Sequence, residues 1–235
     1  MQPLMIELIG EPAVGKTHLA SSFPKPFVID TTPKMEARAI VAKVLGEGWN
    51  ERYAAIRDYR ELLRAVDAAT KREDVATVVI DTGADLQSLA ASEYLRRKRE
   101  EEHKERERVL PVEYGRVRDM VDNEIINRVI RAEKNLILTA QMKDEYVEGK
   151  KTGRRVRDGY PRANYLSDIR ILIKIVEEKA GDKTVYKRVG LVVKNRFIDV
   201  TSEDYVWELN PLTVEAVLNL AIKGGVPREE IPGCA

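Results

Sequence analysis

The stretch Gly10-Glu11-Pro12-Ala13-Val14-Gly15-Lys16-Thr17 constrains this chain more than any other. It follows an apolar run, Leu4 to Ile9, that reads as a buried strand. It opens a segment, Lys16 to Ser22, that reads as a helix stopped by Pro24 and Pro26. Gly10 and Gly15 let the backbone curl so that successive N–H groups converge on phosphate oxygens, and the helix N-terminus adds partial positive charge. In that setting Lys16 reaches the β- and γ-phosphates of ATP, and Thr17 offers its hydroxyl to Mg²⁺. His18 flanks the loop and is grouped with it, although by itself it reads as a packing or solvated residue. A metal held at Thr17 also needs a carboxylate. Asp81 ends the apolar run Thr77-Val78-Val79-Ile80 and is preferred; Asp30, after Phe27-Val28-Ile29, is the alternative and is the position a small-molecule kinase would use.

The chain has 235 residues, enough for one α/β domain with a core and short for two, so residues 1–235 read as one domain. No apolar run approaches a membrane span, and the N-terminus reads directly into a strand rather than a leader, so a cytoplasmic protein is expected. One cysteine, Cys234, and two histidines exclude an internal disulfide and a cysteine- or histidine-built metal cage. Net charge is only +1, so any attraction to nucleic acid must come from a local patch.

Residues 34–45, 58–70 and 84–108 read as helices. Val117, Val121, Ile125 and Val129 mark a further helix stripe. Leu136 to Ala140 reads as a strand, and residues 142–163, charged and aperiodic, as a loop. Isoleucines alternate with polar or apolar neighbours from Ile169 to Ile175. After a turn at Ala180-Gly181-Asp182, Val185 to Val193 returns as the partner strand. Residues 212–222 read as a last helix. Strands alternating with helices, then a hairpin, predict an α/β fold: a mostly parallel sheet flanked by helices, with an antiparallel C-terminal hairpin.

Within the expected loop, Gly149 to Arg157 carries five cations and no acid: Lys150, Lys151, Arg154, Arg155 and Arg157. Tyr146, Tyr160 and Tyr165 flank it. Cations on a loop can follow a phosphate backbone, and a ring such as that of Tyr160 can stack on an unpaired base, which points to single-stranded DNA. Arg96 to Arg108 mixes seven basic with five acidic residues, several of them four apart, and reads as a solvated, ion-paired helix.

Three further segments, in order along the chain, sharpen this reading. They are Val79-Ile80-Asp81-Thr82, Leu136-Ile137-Leu138-Thr139-Ala140-Gln141 and Val192-Val193-Lys194-Asn195-Arg196. Together with the phosphate loop they make residues 4–209 resemble the RecA-like P-loop ATPase core, most closely small phage nucleotide-binding and annealing-type proteins. The resemblance implies an ATP- and Mg²⁺-dependent ATPase of recombination, annealing or repair, phage- or virus-encoded, assembled as a homo-oligomeric ring or filament on single-stranded DNA. It also implies that Asp81 is the metal-strand carboxylate. Gln141 senses the γ-phosphate and opens the DNA-binding loop, and Lys194 and Arg196 reach a neighbouring subunit's nucleotide. One position departs: Thr32 stands where the family's catalytic glutamate is expected. Glu11 and Glu36 are the substitutes in reach, and slow hydrolysis follows. A nucleotide-dependent switch with little hydrolysis, or a P-loop small-molecule kinase, are the alternatives.

Overall fold

The computed structural model describes residues 1–32, 37–103, 107–180 and 183–234. Six strands run parallel, in the spatial order β3 (Tyr53–Ala55), β2 (Pro26–Asp30), β4 (Thr77–Asp81), β5 (Asn135–Val147), β1 (Met5–Gly10) and β7 (Ile169–Ala180). Antiparallel to β7 follow β8 (Lys183–Asn195) and a short β9 (Glu208–Leu209); β6 (Lys150–Asp158) pairs antiparallel with β5. The expected mostly parallel sheet with an antiparallel hairpin is the observed one.

The period of two in these strands splits the core between the two faces of the sheet. Ile6 and Leu8 of β1, Ile137 of β5 and Ile171 and Ile173 of β7 face α1 (Lys16–Ser21), α2 (Ala37–Leu45) and α8 (Val214–Lys223). Val78 and Ile80 of β4 and Leu136 and Leu138 of β5 face α3 (Tyr59–Lys71), α4 (Leu86–Glu102), α5 (Tyr114–Val121) and α6 (Asn127–Arg131). The helix α3 starts where its caps dictate. The Asp58 carboxylate accepts from Glu61 N–H, and Glu61 reaches back to Arg57 N–H, both at 2.8 Å. Val117, Val121, Ile125 and Val129 are all fully buried. Spacing of four advances the stripe by about 40° per step on an α-helix. A π-helical turn at Asp122–Ile126 between α5 and α6 rewinds it and keeps all four on one face.

Two expectations need correction. The charged helix α4 ends at Glu102, not at residue 108, where His103 turns left-handed at φ 51°. Its ion pairing is as expected in kind, with Arg96 to Glu93 and Glu100 and Lys98 to Glu101. Arg97, however, pairs with Glu93 and, across helices, with Glu124. The larger correction is residues 142–163, which are not a loop. Strand β5 runs on through Val147, turns at Glu148-Gly149, and returns as β6 before α7 (Ala163–Leu166). Both turn residues have positive φ, 50° and 77°, the geometry of a two-residue hairpin turn. The hairpin has no apolar face to give it a period. It is held by its backbone ladder and by opposite charges: Lys143 with Asp158, and Asp144 with both Lys151 and Arg155. The turn residues Gly181 and Asp182 lie outside the described residues. No described helix is long and apolar enough to cross a membrane.

Candidate nucleotide site

The phosphate loop hangs from the centre of the sheet. Gly10 ends β1 with Gln141 of β5 on one side and Ile173 of β7 on the other. A side chain at Gly10 would lie 2.8 Å from Val14 Cγ2 and 2.9 Å from the Ile173 carbonyl oxygen, so the loop closes only on glycine. Gly15, at φ 97°, makes the left-handed step into α1. Val14 is buried in the core and anchors the loop from below, leaving Pro12 and Ala13 exposed.

Lys16 bends back across the loop. Its Nζ donates to the carbonyl oxygens of Gly10 and Glu11 at 2.9 and 2.8 Å. Burial pushes its amine below the ordinary lysine range, against the opposing pull of Asp81 and Glu11. Thr17 donates from Oγ1 to Asp81 Oδ2 at 2.6 Å, and the other Asp81 oxygen accepts from the Thr139 hydroxyl. Burial drives the Asp81 carboxyl above its ordinary value, in spite of those two hydroxyls. A hydroxyl and a carboxylate in contact beside a phosphate loop are the hard oxygen donors that Mg²⁺ takes together with phosphate oxygens and water. Among the described residues no cluster of three or more His, Cys, Asp or Glu forms a separate metal cage.

Above the loop lies a cavity of about 440 Å³. The loop and Thr17 form its floor, and Ala37, Ile40 and Lys43 of α2 form one wall. Asp81, Gln141, Thr32 and His18 also line it, so residues from four distant segments of the sequence share one chamber. Asp30, the alternative carboxylate, is instead consumed by structure. It accepts from Thr32 N–H and hydroxyl, from Ala37 N–H and from the Tyr53 hydroxyl, holding the start of α2 to the sheet. Glu36 lies outside the described residues. The other substitute base, Glu11, is engaged by Arg155.

Several expected contacts are placed elsewhere. Tyr160 is fully buried, and its hydroxyl donates to Asp122 Oδ1 at 2.7 Å with the Arg118 carbonyl 3.0 Å away. It is a core residue with no ring open to solvent, whereas Tyr146 on the β5–β6 hairpin is 63% exposed. Arg157 is not free either. It donates from Nε to Glu7 Oε1 at 2.7 Å, and Arg170 donates from Nε to Glu7 Oε2 at 2.8 Å, so two cations neutralise a carboxylate buried in β1. Of the five cations, Lys151 and Arg155 are tied to acids as well, which leaves Lys150 and Arg154 without an acidic partner among the described residues. Lys194 and Arg196 sit at the far end of the strands. Lys194 pairs in register with Arg170, three residues below Ile173 and the level of Gly10. Both donate to the Tyr165 carbonyl, and Arg196 pairs with Asp168. The chain's own cavity does not receive them.

Arg188 does enter the cavity, from β8, and sequence reading missed it. Its guanidinium lies against Gly15: a Cβ there would be 2.9 Å from Arg188 Cζ and Nη1. The available signal was the period of two counted back from Val192, which puts position 188 on the face that bears α1.

A family model described as an AAA domain matches residues 2–196. No curated protein matches the chain.

Proposed function

The chain belongs to the AAA domain family of P-loop ATPases, and on that premise we propose that it binds ATP with Mg²⁺ over Gly10–Thr17 and uses it to control a single-strand DNA contact on the β5–β6 hairpin. The observation that carries the nucleotide half is the Thr17–Asp81 contact at 2.6 Å under a cavity that also holds Lys16 and Gln141. Lys16 swings from the two loop carbonyls to the phosphates; Gln141 has an amide to donate to the outermost phosphate. Mg²⁺ between Thr17, Asp81 and the phosphates would supply charge neutralisation to phosphoryl transfer. With Thr32 in place of a glutamate and Glu11 held by Arg155, no carboxylate among the described cavity-lining residues is free to orient a water, so turnover is slow.

The DNA half rests on the hairpin. It leaves the sheet directly after Gln141 and carries Lys150, Arg154 and the exposed ring of Tyr146. The parallel core with its C-terminal hairpin supports the RecA-like resemblance, and with it a role in recombination, annealing or repair inside the cell. In a ring or filament of identical chains, Lys194 and Arg196 are the cations a neighbour's site would receive. The kinase reading loses its support with Asp30, whose oxygens hold the start of α2. A switch with little hydrolysis remains the second reading, favoured by the same occupied Glu11.

Titration calorimetry tests the nucleotide half. Lys16→Ala should weaken Mg·ATP binding about 10- to 150-fold, the worth of hydrogen bonds to a charged group. Equal affinity in the variant and the parent would overturn the assignment. Fluorescence anisotropy with a labelled oligonucleotide tests the DNA half. With Lys150 and Arg154 as the free cations, log affinity should fall with log salt at a slope of about −1.4, and Lys150→Ala/Arg154→Ala should abolish most of it.

A further inference from the structure

The β7–β8 hairpin overshoots the phosphate loop. Gly10 pairs with Ile173, yet β7 continues to Ala180, and Arg188 pairs with Ile175, two residues past that level. At about 3.3 Å per residue this carries Arg188 roughly 7 Å beyond the end of β1, over the loop rather than beside it. Alternation continues the row Val192, Gly190, Arg188 on the face of the sheet that packs on α1, where Val14 and Leu19 also lie. Gly190 keeps that row close to β7, since a Cβ there would meet Ile171 Cγ2 at 2.8 Å. The arginine therefore leaves the hairpin towards the nucleotide cavity and rests on Gly15, which has no side chain to block it.

The neighbouring cations are neutralised within the chain: Arg155 by Glu11, Arg157 and Arg170 by Glu7, and Lys187 by Glu178. Arg188 has no hydrogen bond or acidic partner among the described residues. A planar guanidinium with its donors unspent, lying on the backbone that cradles phosphate, is matched by a phosphate oxygen pair.

We propose that Arg188 is a phosphate-binding residue acting in the chain's own site, that it grips the outermost phosphate of a nucleoside triphosphate, and that it thereby ties the β7–β8 hairpin to the nucleotide state. The inference rests on the nucleotide reading given above and assigns one more donor to it. Lys16 and the loop N–H groups hold any bound diphosphate. Arg188 approaches from outside the loop, so its contact depends on the additional phosphate. The hairpin beyond Gly10 is anchored at that end chiefly by its own ladder, and a charge-assisted contact from its middle would hold it against the loop in the triphosphate state alone.

Calorimetric titration of ATP and ADP, each with Mg²⁺, into the parent, Arg188→Ala, Arg188→Lys and Lys16→Ala chains separates the possibilities. In Arg188→Ala, ATP should bind about 10-fold more weakly while ADP changes little, so the ratio of the two affinities falls. Arg188→Lys should restore part of the loss, as a point charge without the bidentate fork. Amide hydrogen exchange of residues 174–180 and 184–188 should slow with ATP in the parent and not in Arg188→Ala. Equal loss of ATP and ADP, or an unchanged ratio in a variant that melts like the parent, overturns the proposal. Lys16→Ala must weaken both nucleotides. A parent that binds neither removes the nucleotide reading together with this one, whereas a parent that binds both, with an Arg188→Ala variant indistinguishable from it, removes this one alone.

Discussion

Arg155 grips Glu11 with both ends of its guanidinium, Nε to Oε1 at 2.9 Å and Nη2 to Oε2 at 2.5 Å, across 144 residues of sequence. One partner belongs to the phosphate loop and the other to the β5–β6 hairpin, so the proposed nucleotide and DNA sites share a physical link. The same guanidinium also donates to Asp144 and to the Met142 carbonyl, which fixes it to the hairpin's own base while it reaches the loop.

Removing the Glu11 charge leaves Arg155 with Asp144 as its acidic partner, so part of its charge becomes available to a DNA backbone. Both side chains of the pair are about half-exposed and solvent-screened, so Glu11→Gln should leave stability nearly unchanged. Single-strand affinity should rise, and the salt slope should steepen by less than about 0.7, from about −1.4 towards −2.1, because Asp144 still holds the guanidinium. Anisotropy over a salt series reads both, and a slope no steeper than the parent's would show that Arg155 takes no part in DNA binding.

Asp81 is held at a cost to the fold. Its carboxyl is raised above the ordinary 3.8 by burial, so between 3.8 and the raised value the folded chain holds more protons than the unfolded one. Unfolding free energy therefore falls as pH rises through that window, and above it the ionised group is a net penalty. Asp81→Asn keeps the shape and an oxygen for one of the two hydroxyls. It should melt higher than the parent at pH above that window, with the gain shrinking as acid protonates the parent's carboxyl, while Mg²⁺-dependent ATP binding is lost. A melting difference that stayed constant across the acid range would contradict the buried, titrating carboxylate.

Tyr160, Arg157 and Glu7 should behave as core residues. Tyr160→Phe removes a partly buried hydrogen bond to Asp122 and should cost about 1–3 kcal/mol. Glu7→Ala leaves Arg157 and Arg170 facing an empty carboxylate site and should cost about 3–5 kcal/mol. Urea unfolding measures both. A Tyr160→Phe chain as stable as the parent would contradict the structural role of the Tyr160 hydroxyl.

The residues that obey local rules could be read without the fold. Gly10 to Thr17 between a strand and a helix, the apolar runs ending at Asp30, Asp81 and Gln141, and the alternation in Ile169–Ile175 each satisfy a turn or a period within a few neighbours. That was enough for the parallel sheet with an antiparallel hairpin, and for the candidate residues Lys16, Thr17, Asp81 and Gln141 that the structure gathers around one cavity. Tertiary structure decided what those rules cannot reach. A hairpin built of charges carries no apolar period, so β5–β6 was visible only once the strands paired. Glu7 sits inside an apolar strand, and only the fold brings Arg157 and Arg170 from distant segments to neutralise it. Tyr160 and the tyrosines near it are alike in sequence; which ring is buried depends on α5, packed beside it through Arg118. Lys194 and Arg188 lie on one strand, and register alone sends the first to the far end of the sheet and the second over Gly15. Strand register and burial are set by pairing across more than a hundred residues, and that is the information a linear sequence does not display.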